Sequence, residues 1–124
     1  AAIAAGVDIF DCVVLMRVGR TAEIYTPHGL VHLKNEKYRN DFTLLDSEMK
    51  DLGGPSSDER PPRSFTRAYV SHLLRSGEML GAVIASMHNV KFILDLVAGA
   101  RQAILDGRFD SYRADFVAQY YGQL

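Results

Sequence analysis

The sequence predicts an α/β fold in which a strand buried on both faces is followed by a short hairpin and then by helices. Three observations predict it. An alanine-rich stretch over residues 1–5 stops at Gly6 and gives way to a nearly continuous apolar run over 7–16. Pro27-His28-Gly29 separates two short apolar stretches, and beyond residue 64 apolar side chains recur at helical spacing.

Each element has a local reason. Residues 1–5 read as the last turn of a helix, because glycine readily takes the left-handed conformation that ends one. The run over 7–16 is interrupted by Asp8 and Asp11, as expected of a strand in a parallel sheet or barrel with no solvent face. Ile24 and Tyr25 on one side of the Pro-His-Gly turn and Leu30, Val31 and Leu33 on the other predict a hairpin within 22–34. Residues 51–63 hold Gly53, Gly54, Pro55, Pro61, Pro62 and Ser56-Ser57, the composition of a loop.

The helical region divides by its capping residues. Ser64 is placed to cap a helix running to about Ala85, with Tyr69, Leu73, Leu80 and Ile84 on one stripe and Gly77 and Gly81 allowing close approach on the other. Ser86 is placed to cap a second helix with Val90, Ile93, Val97, Ala100 and Ile104 on its stripe, stopping at Gly107. Asp110 opens a third, with Tyr112, Phe116 and Tyr120 four apart. Burial of these stripes is expected, since short helices are held by packing an apolar face.

With 124 residues and 48% hydrophobic content, one domain with a modest core is expected. The 14 basic and 15 acidic residues give a net charge of -1, which excludes a generally basic nucleic-acid coat and leaves only local contact. Charge is nonetheless uneven: residues 17–39 carry five basic and two acidic side chains, and residues 40–59 carry six acids against Lys50. The single cysteine, Cys12, excludes an intrachain disulfide, fits a reducing setting, and is expected to be a small buried apolar side chain. The opening Ala-Ala-Ile-Ala-Ala lacks the basic region of a signal peptide, and no apolar run approaches the roughly 20 residues that span a bilayer. A cytoplasmic location without a membrane partner is the expectation.

The string Gly6-Val7-Asp8-Ile9-Phe10-Asp11-Cys12-Val13 resembles the segment that carries the catalytic aspartate in bacterial-type tRNA-guanine transglycosylases. Collinear similarities follow at Leu33-Lys34-Asn35 with Tyr38, Leu45-Asp46-Ser47-Glu48, Arg67-Ala68-Tyr69, Gly77-Glu78-Met79-Leu80-Gly81, His88-Asn89 and Gly107-Arg108-Phe109. The resemblance implies the C-terminal portion of a (β/α)8 TIM-type barrel with a small inserted subdomain. Residues 1–21 would hold a late barrel strand and catalytic loop, 22–63 the hairpin and loop of the subdomain, and 64–124 the closing helices. A barrel strand ends in catalytic residues at its C-terminal end, where Asp11 falls.

The implied activity is exchange of a guanine in a tRNA anticodon loop for a 7-deazaguanine, queuine or a precursor. Asp11 would be the nucleophile, because a carboxylate beside C1′ stabilises an oxocarbenium-like state and forms an ester that the incoming base displaces. Its neighbours Phe10, Cys12 and Val13 would desolvate it unless a charge or hydrogen bonds hold it ionised. Asp8, three residues away, points to the other face of a strand and is expected to be structural. Arg17 and Arg20 match the arginines that bind the anticodon loop, where guanidinium groups serve both phosphates and base edges. Leu15-Met16 stands where the family usually has Pro-Thr, and Thr21-Ala22 where it has Asn-Gly.

Family members also bind structural zinc through a C-x-C-x-x-C cluster and a downstream histidine. His88 matches that histidine, but no cysteine follows Ser47-Glu48, so no zinc and no other cofactor is expected. His88 then reads as a satisfied structural histidine near a helix start, and His28, His32 and His72 as surface histidines. Tyr69 and His72 match the helix that forms the family's dimer interface, so a homo- or heterodimer with a family member is expected. Two other readings remain open at this point: a non-catalytic RNA-binding or regulatory homologue, and a helical protein-interaction module that folds alone.

Overall fold

The computed structural model describes residues 1–46 and 65–122. Its elements run in order as helix α1 (Val14–Arg20), strands β1 (Glu23–Thr26) and β2 (Gly29–His32), a 3-10 turn at Glu36–Tyr38, and helices α2 (Arg67–Arg75), α3 (Met79–Leu105) and α4 (Phe109–Tyr121). Among the described residues this is a mixed helix and sheet arrangement with a single two-stranded sheet.

The first turn ends as expected. Gly6 takes φ +96°, the Gly6 N–H bonds to the Ile3 carbonyl at 3.0 Å, and the Val7 N–H reaches back to Ala2 at 3.1 Å. The run that follows does not form the expected strand: residues 7–12 have no regular structure, and residues 14–16 belong to α1. The physical reason is pairing. A strand needs a neighbour to satisfy its ladder, and β1 and β2, which pair with each other, are the strands among the described residues. Val7, Ile9, Phe10 and Val13 are consequently exposed, and so is Cys12, which corrects the expectation of a buried thiol.

The hairpin stands where the turn residues place it. Its register is Glu23↔His32, Ile24↔Val31, Tyr25↔Leu30 and Thr26↔Gly29, with Pro27-His28 as a two-residue loop. The Thr26 hydroxyl donates to the Gly29 carbonyl at 2.7 Å and accepts from the His28 N–H at 3.3 Å, which closes the turn. In such a hairpin the loop-flanking pair and every second pair beyond it exchange ladder bonds. The Leu33 N–H to Ala22 carbonyl bond at 2.8 Å keeps that alternation. Residues 23 and 25 therefore turn their amide groups to the free edge of β1.

That edge is covered by α3. Asn89, with no exposed surface, accepts from the Tyr25 N–H at 2.9 Å and donates to the carbonyls of Glu23 at 3.0 Å and Leu15 at 3.1 Å. Its neighbour His88 donates through Nε2 to the Tyr25 carbonyl at 2.8 Å. One side-chain amide thus behaves as a missing strand for β1 and also anchors α1. Ser86, one turn earlier, lies against Gly19: a Cβ at Gly19 would come within 2.6 Å of the Ser86 hydroxyl and 2.8 Å of its backbone nitrogen. At the joint of α1 and β1, Ala22 is buried with φ +67°, a left-handed conformation that favours glycine.

The main core gathers Ala22, Ile24, Leu33, Tyr38, Leu45, Val70, Leu73, Leu74, Ile84 and Ala85 from the hairpin, the following turn, α2 and α3. A second cluster packs Phe92 with Tyr25, Leu96, Phe116 and Tyr120, and seats α4.

The helix boundaries differ from those the caps predicted. Ser64 lies outside the described residues, and Thr66 caps α2 by accepting from the Tyr69 N–H at 3.1 Å. Gly77, at φ +71°, breaks the chain between α2 and α3. Ser86 caps nothing, since α3 runs through it from Glu78 to the stop at Gly107, and α4 begins at Phe109, one residue before Asp110. Of the predicted stripes Leu73, Ile84 and Ala100 are buried, whereas Tyr69, Leu80, Val90 and Ile104 are exposed. Helix α3 is apolar on most of its circumference, so spacing alone does not select the side that packs. By length and composition α3 is long and apolar enough to cross a membrane. Its packed side carries His88 and Asn89, whose bonds to β1 and α1 hold it against the rest of this fold, and the buried Asp95, which pairs with Lys91 one turn earlier.

Asn89→Leu is expected to lower stability by about 3 kcal/mol or more, because three backbone groups lose their partner at once. Arg101→Ala on the exposed face of the same helix should change it by less than about 0.5 kcal/mol. Urea midpoints compare the two; a loss below about 1 kcal/mol for Asn89→Leu would contradict this packing.

Candidate functional site

Asp11 lies on the irregular segment just before α1, two residues ahead of the N-terminal boundary residue Val13, and is exposed. Its carboxylate is open to water, so the desolvation expected from Phe10, Cys12 and Val13 is not made by these residues. Its neighbours behave differently: Asp8, Phe10 and Cys12 line an apolar trough against α3 and α4, with Leu15, Val97 and Phe116 on the other walls, and Asp11 is not part of that lining.

Arg17 and Arg20 are exposed and occupy the last turn of α1, three residues apart on one side of the helix. The expectation had them on a loop after a strand. A helix places them more firmly, because α1 is held from beneath by Asn89 at the Leu15 carbonyl and by the Ser86 hydroxyl, which donates to the Met16 carbonyl at 3.4 Å. Arg20 also borders a recess between α1 and α3 whose walls include Met16, Met79, Val83, Met87 and Val90. Asn89, Ser86 and Gly19 thus fix where α1 sits on α3, a packing role that neither the His88-Asn89 similarity nor the expected Ser86 cap conveyed. An asparagine amid the apolar first half of a long helix was the available signal for Asn89, since a buried polar group requires partners.

Tyr69 and His72 sit on the outward side of α2, where both are exposed, while Val70, Ser71, Leu73 and Leu74 face inward. Tyr69 stacks on Phe65 with ring centroids 5.9 Å apart, which stiffens that surface. The two side chains therefore stand together, three residues apart, and away from Asp11's segment in the chain.

His88 is central in α3 rather than near a helix start. Burial lowers its pKa, partly opposed by the Tyr25 carbonyl bond and the Asp46 carboxylate, so the ring is held neutral with its Nε2 proton on that carbonyl. The zinc implied by the resemblance does not fit these residues. One imidazole offers one remaining nitrogen, Cys12 lies on the N-terminal segment, and no three His, Cys, Asp or Glu side chains converge among the described residues. Residues 47–64 contain carboxylates but neither cysteine nor histidine. Closed structural zinc sites take four ligands, mostly cysteine and histidine. Of the other histidines, His32 lies 4.0 Å from Glu23 and is exposed, and His28 lies in the hairpin turn.

The family model for queuine tRNA-ribosyltransferase matches residues 1–122. The queuine tRNA-ribosyltransferase of Caulobacter vibrioides is 43% identical over 121 residues, which is 98% of this chain and 30% of that protein. Those of Anoxybacillus flavithermus and Sphingopyxis alaskensis are 41% and 40% identical over 93% and 96% of this chain, and 28% and 30% of their own lengths. The chain therefore spans about 30% of the length of the curated relatives it matches. With every described residue inside that match, the chain belongs to the queuine tRNA-ribosyltransferase family.

Proposed function

We propose that the full-length protein replaces a guanine in a tRNA anticodon loop with a 7-deazaguanine, queuine or a precursor, and that Asp11 is the nucleophile. The observation that carries the reading is that Asp11, in the segment similar to the family's catalytic one, stands exposed directly ahead of a helix whose last turn presents Arg17 and Arg20.

The reaction follows from those groups. A carboxylate oxygen of Asp11 bonds to C1′ as the bond from C1′ to the guanine nitrogen breaks, and the bonding pair leaves with guanine, which takes a proton from a general acid elsewhere in the protein. The incoming base gives its ring N–H proton to that same group, now acting as general base, and attacks C1′, which releases the carboxylate and restores the glycosidic bond. Arg17 and Arg20 hold the phosphates of the loop meanwhile. In this reading residues 1–21 carry the catalytic loop of a (β/α)8 barrel, with 7–12 irregular ahead of α1, residues 22–63 form the inserted subdomain and 64–124 the closing helices, the barrel needing roughly 250 residues in all. Tyr69 and His72 face a second family member in a dimer, and the setting is cytoplasmic.

A second reading has one observation in its favour. The missing zinc donors, with Leu15-Met16 and Thr21-Ala22 replacing the usual flanks, are what a non-catalytic RNA-binding or regulatory homologue would carry. Such a protein would bind tRNA without exchanging a base.

Labelled guanine offered with unfractionated tRNA separates the two. The full-length protein should incorporate label, and Asp11→Asn or Asp11→Ala should reduce the rate by at least about 1000-fold with tRNA affinity retained. Incorporation at the original rate by either variant removes Asp11 from the chemistry. For the RNA contact, Arg17→Ala combined with Arg20→Ala should weaken tRNA binding and lower its salt-dependence slope by about 1.4 to 2. An unchanged slope would rule out direct phosphate contact by these arginines.

A further inference from the structure

We infer that this protein joins the residues flanking 47–64 to each other and to α3 without a metal ion, by a backbone ladder and by the packing of Leu45 into the main core, with His88 serving as a hydrogen-bond donor and not as a metal ligand. In the family resemblance a zinc ion links that segment to the helix bearing the matched histidine, and the donor set here cannot form such a site.

The segment leaves and re-enters the described fold at a paired neck. The Leu45 N–H donates to the Phe65 carbonyl at 2.9 Å, the Arg67 N–H to Thr43 at 2.9 Å, and the Ala68 N–H to Asp41 at 2.7 Å, with Leu44 and Thr66 in an antiparallel bridge. Leu45 and Ala68 are buried at this neck, and Leu45 joins the main core beside Leu33, Tyr38 and Val70. Asp41 accepts from both the N–H and the hydroxyl of Thr43, which hold its carboxyl below the usual range and shape the turn into the neck. The far strand of the ladder leads directly into the Thr66 cap of α2.

A structural metal stabilises chiefly by joining distant parts of a chain that would otherwise separate. Here both connections are made by the chain itself. The ladder ties residues 41–45 to 65–68, and Leu45, Val70, Leu73 and Leu74 share the main core with Ile84 and Ala85 of α3. The His88 Nε2 proton is committed to a backbone carbonyl, so the ring acts as a donor in a packed joint.

Elemental analysis of full-length protein purified without chelator, together with melting curves with and without 1,10-phenanthroline, tests the inference. The expected result is less than about 0.1 zinc per chain and a melting temperature unchanged by the chelator within about 1 °C. Near-stoichiometric zinc, or a chelator-induced drop of several degrees, would overturn it. His88→Gln and His88→Ala supply a second measurement. Glutamine can still donate to the Tyr25 carbonyl, so His88→Gln should melt closer to the unmodified protein than His88→Ala does; equal losses that coincide with loss of bound zinc would identify a metal ligand. Metal content and melting do not depend on base exchange, so this inference and the proposed function fail separately.

Discussion

The side chain of Asn89 meets three backbone groups from two other elements, and the arrangement of the fold follows from that meeting. A two-stranded sheet has two open edges, and unpaired backbone groups kept from water are costly. Asn89 and His88 answer three of these groups on β1, while the remaining Asn89 proton reaches the Leu15 carbonyl of α1. The hairpin and the first helix are therefore registered against one point on α3.

Through that point the candidate site is linked to the core. Arg17 and Arg20 ride on α1, whose underside is pinned by Asn89 and Ser86 and whose Gly19 admits α3 at a distance that no larger residue tolerates. The segment with Asp11 leads directly into the same helix. The apolar residues Val7, Ile9 and Phe10 on that segment, and Met79, Val83 and Met87 on α3, are exposed in a chain that covers about 30% of its relatives' length. Surfaces of this kind are usual where protein packs on protein.

Local chemistry was legible in the sequence where one residue type decides a conformation. Gly6 and Gly107 stop their turns at positive φ, and Pro27-His28-Gly29 turns the hairpin in the register that its flanking apolar residues require. Where partners decide, the sequence was silent or misleading. The run over 7–16 has the composition of a doubly buried strand, yet its first half lacks a ladder partner and its second half is recruited into α1 by Asn89. Cys12 is exposed for the same reason. Ser86 has the side chain of a cap but stands inside a long helix whose break had already come at Gly77, and the expected stripe on α3 straddles its packed side, with Ala100 buried, Ile93 and Val97 half-buried, and Val90 and Ile104 exposed. Asp11, Arg17 and Arg20 were expected through family similarity; the anchoring of the helix that carries the two arginines, by Asn89 at the Leu15 carbonyl, is visible only with the free edge of β1 placed beside α3.

The most direct test of the account is to trap the intermediate. Full-length protein incubated with an anticodon stem-loop RNA and no incoming base, then denatured and digested, should yield one RNA-linked peptide, with the added ribose mass on Asp11 and release of guanine. A covalent link mapped to any other residue, or base exchange proceeding while no link to Asp11 can be captured, would contradict it.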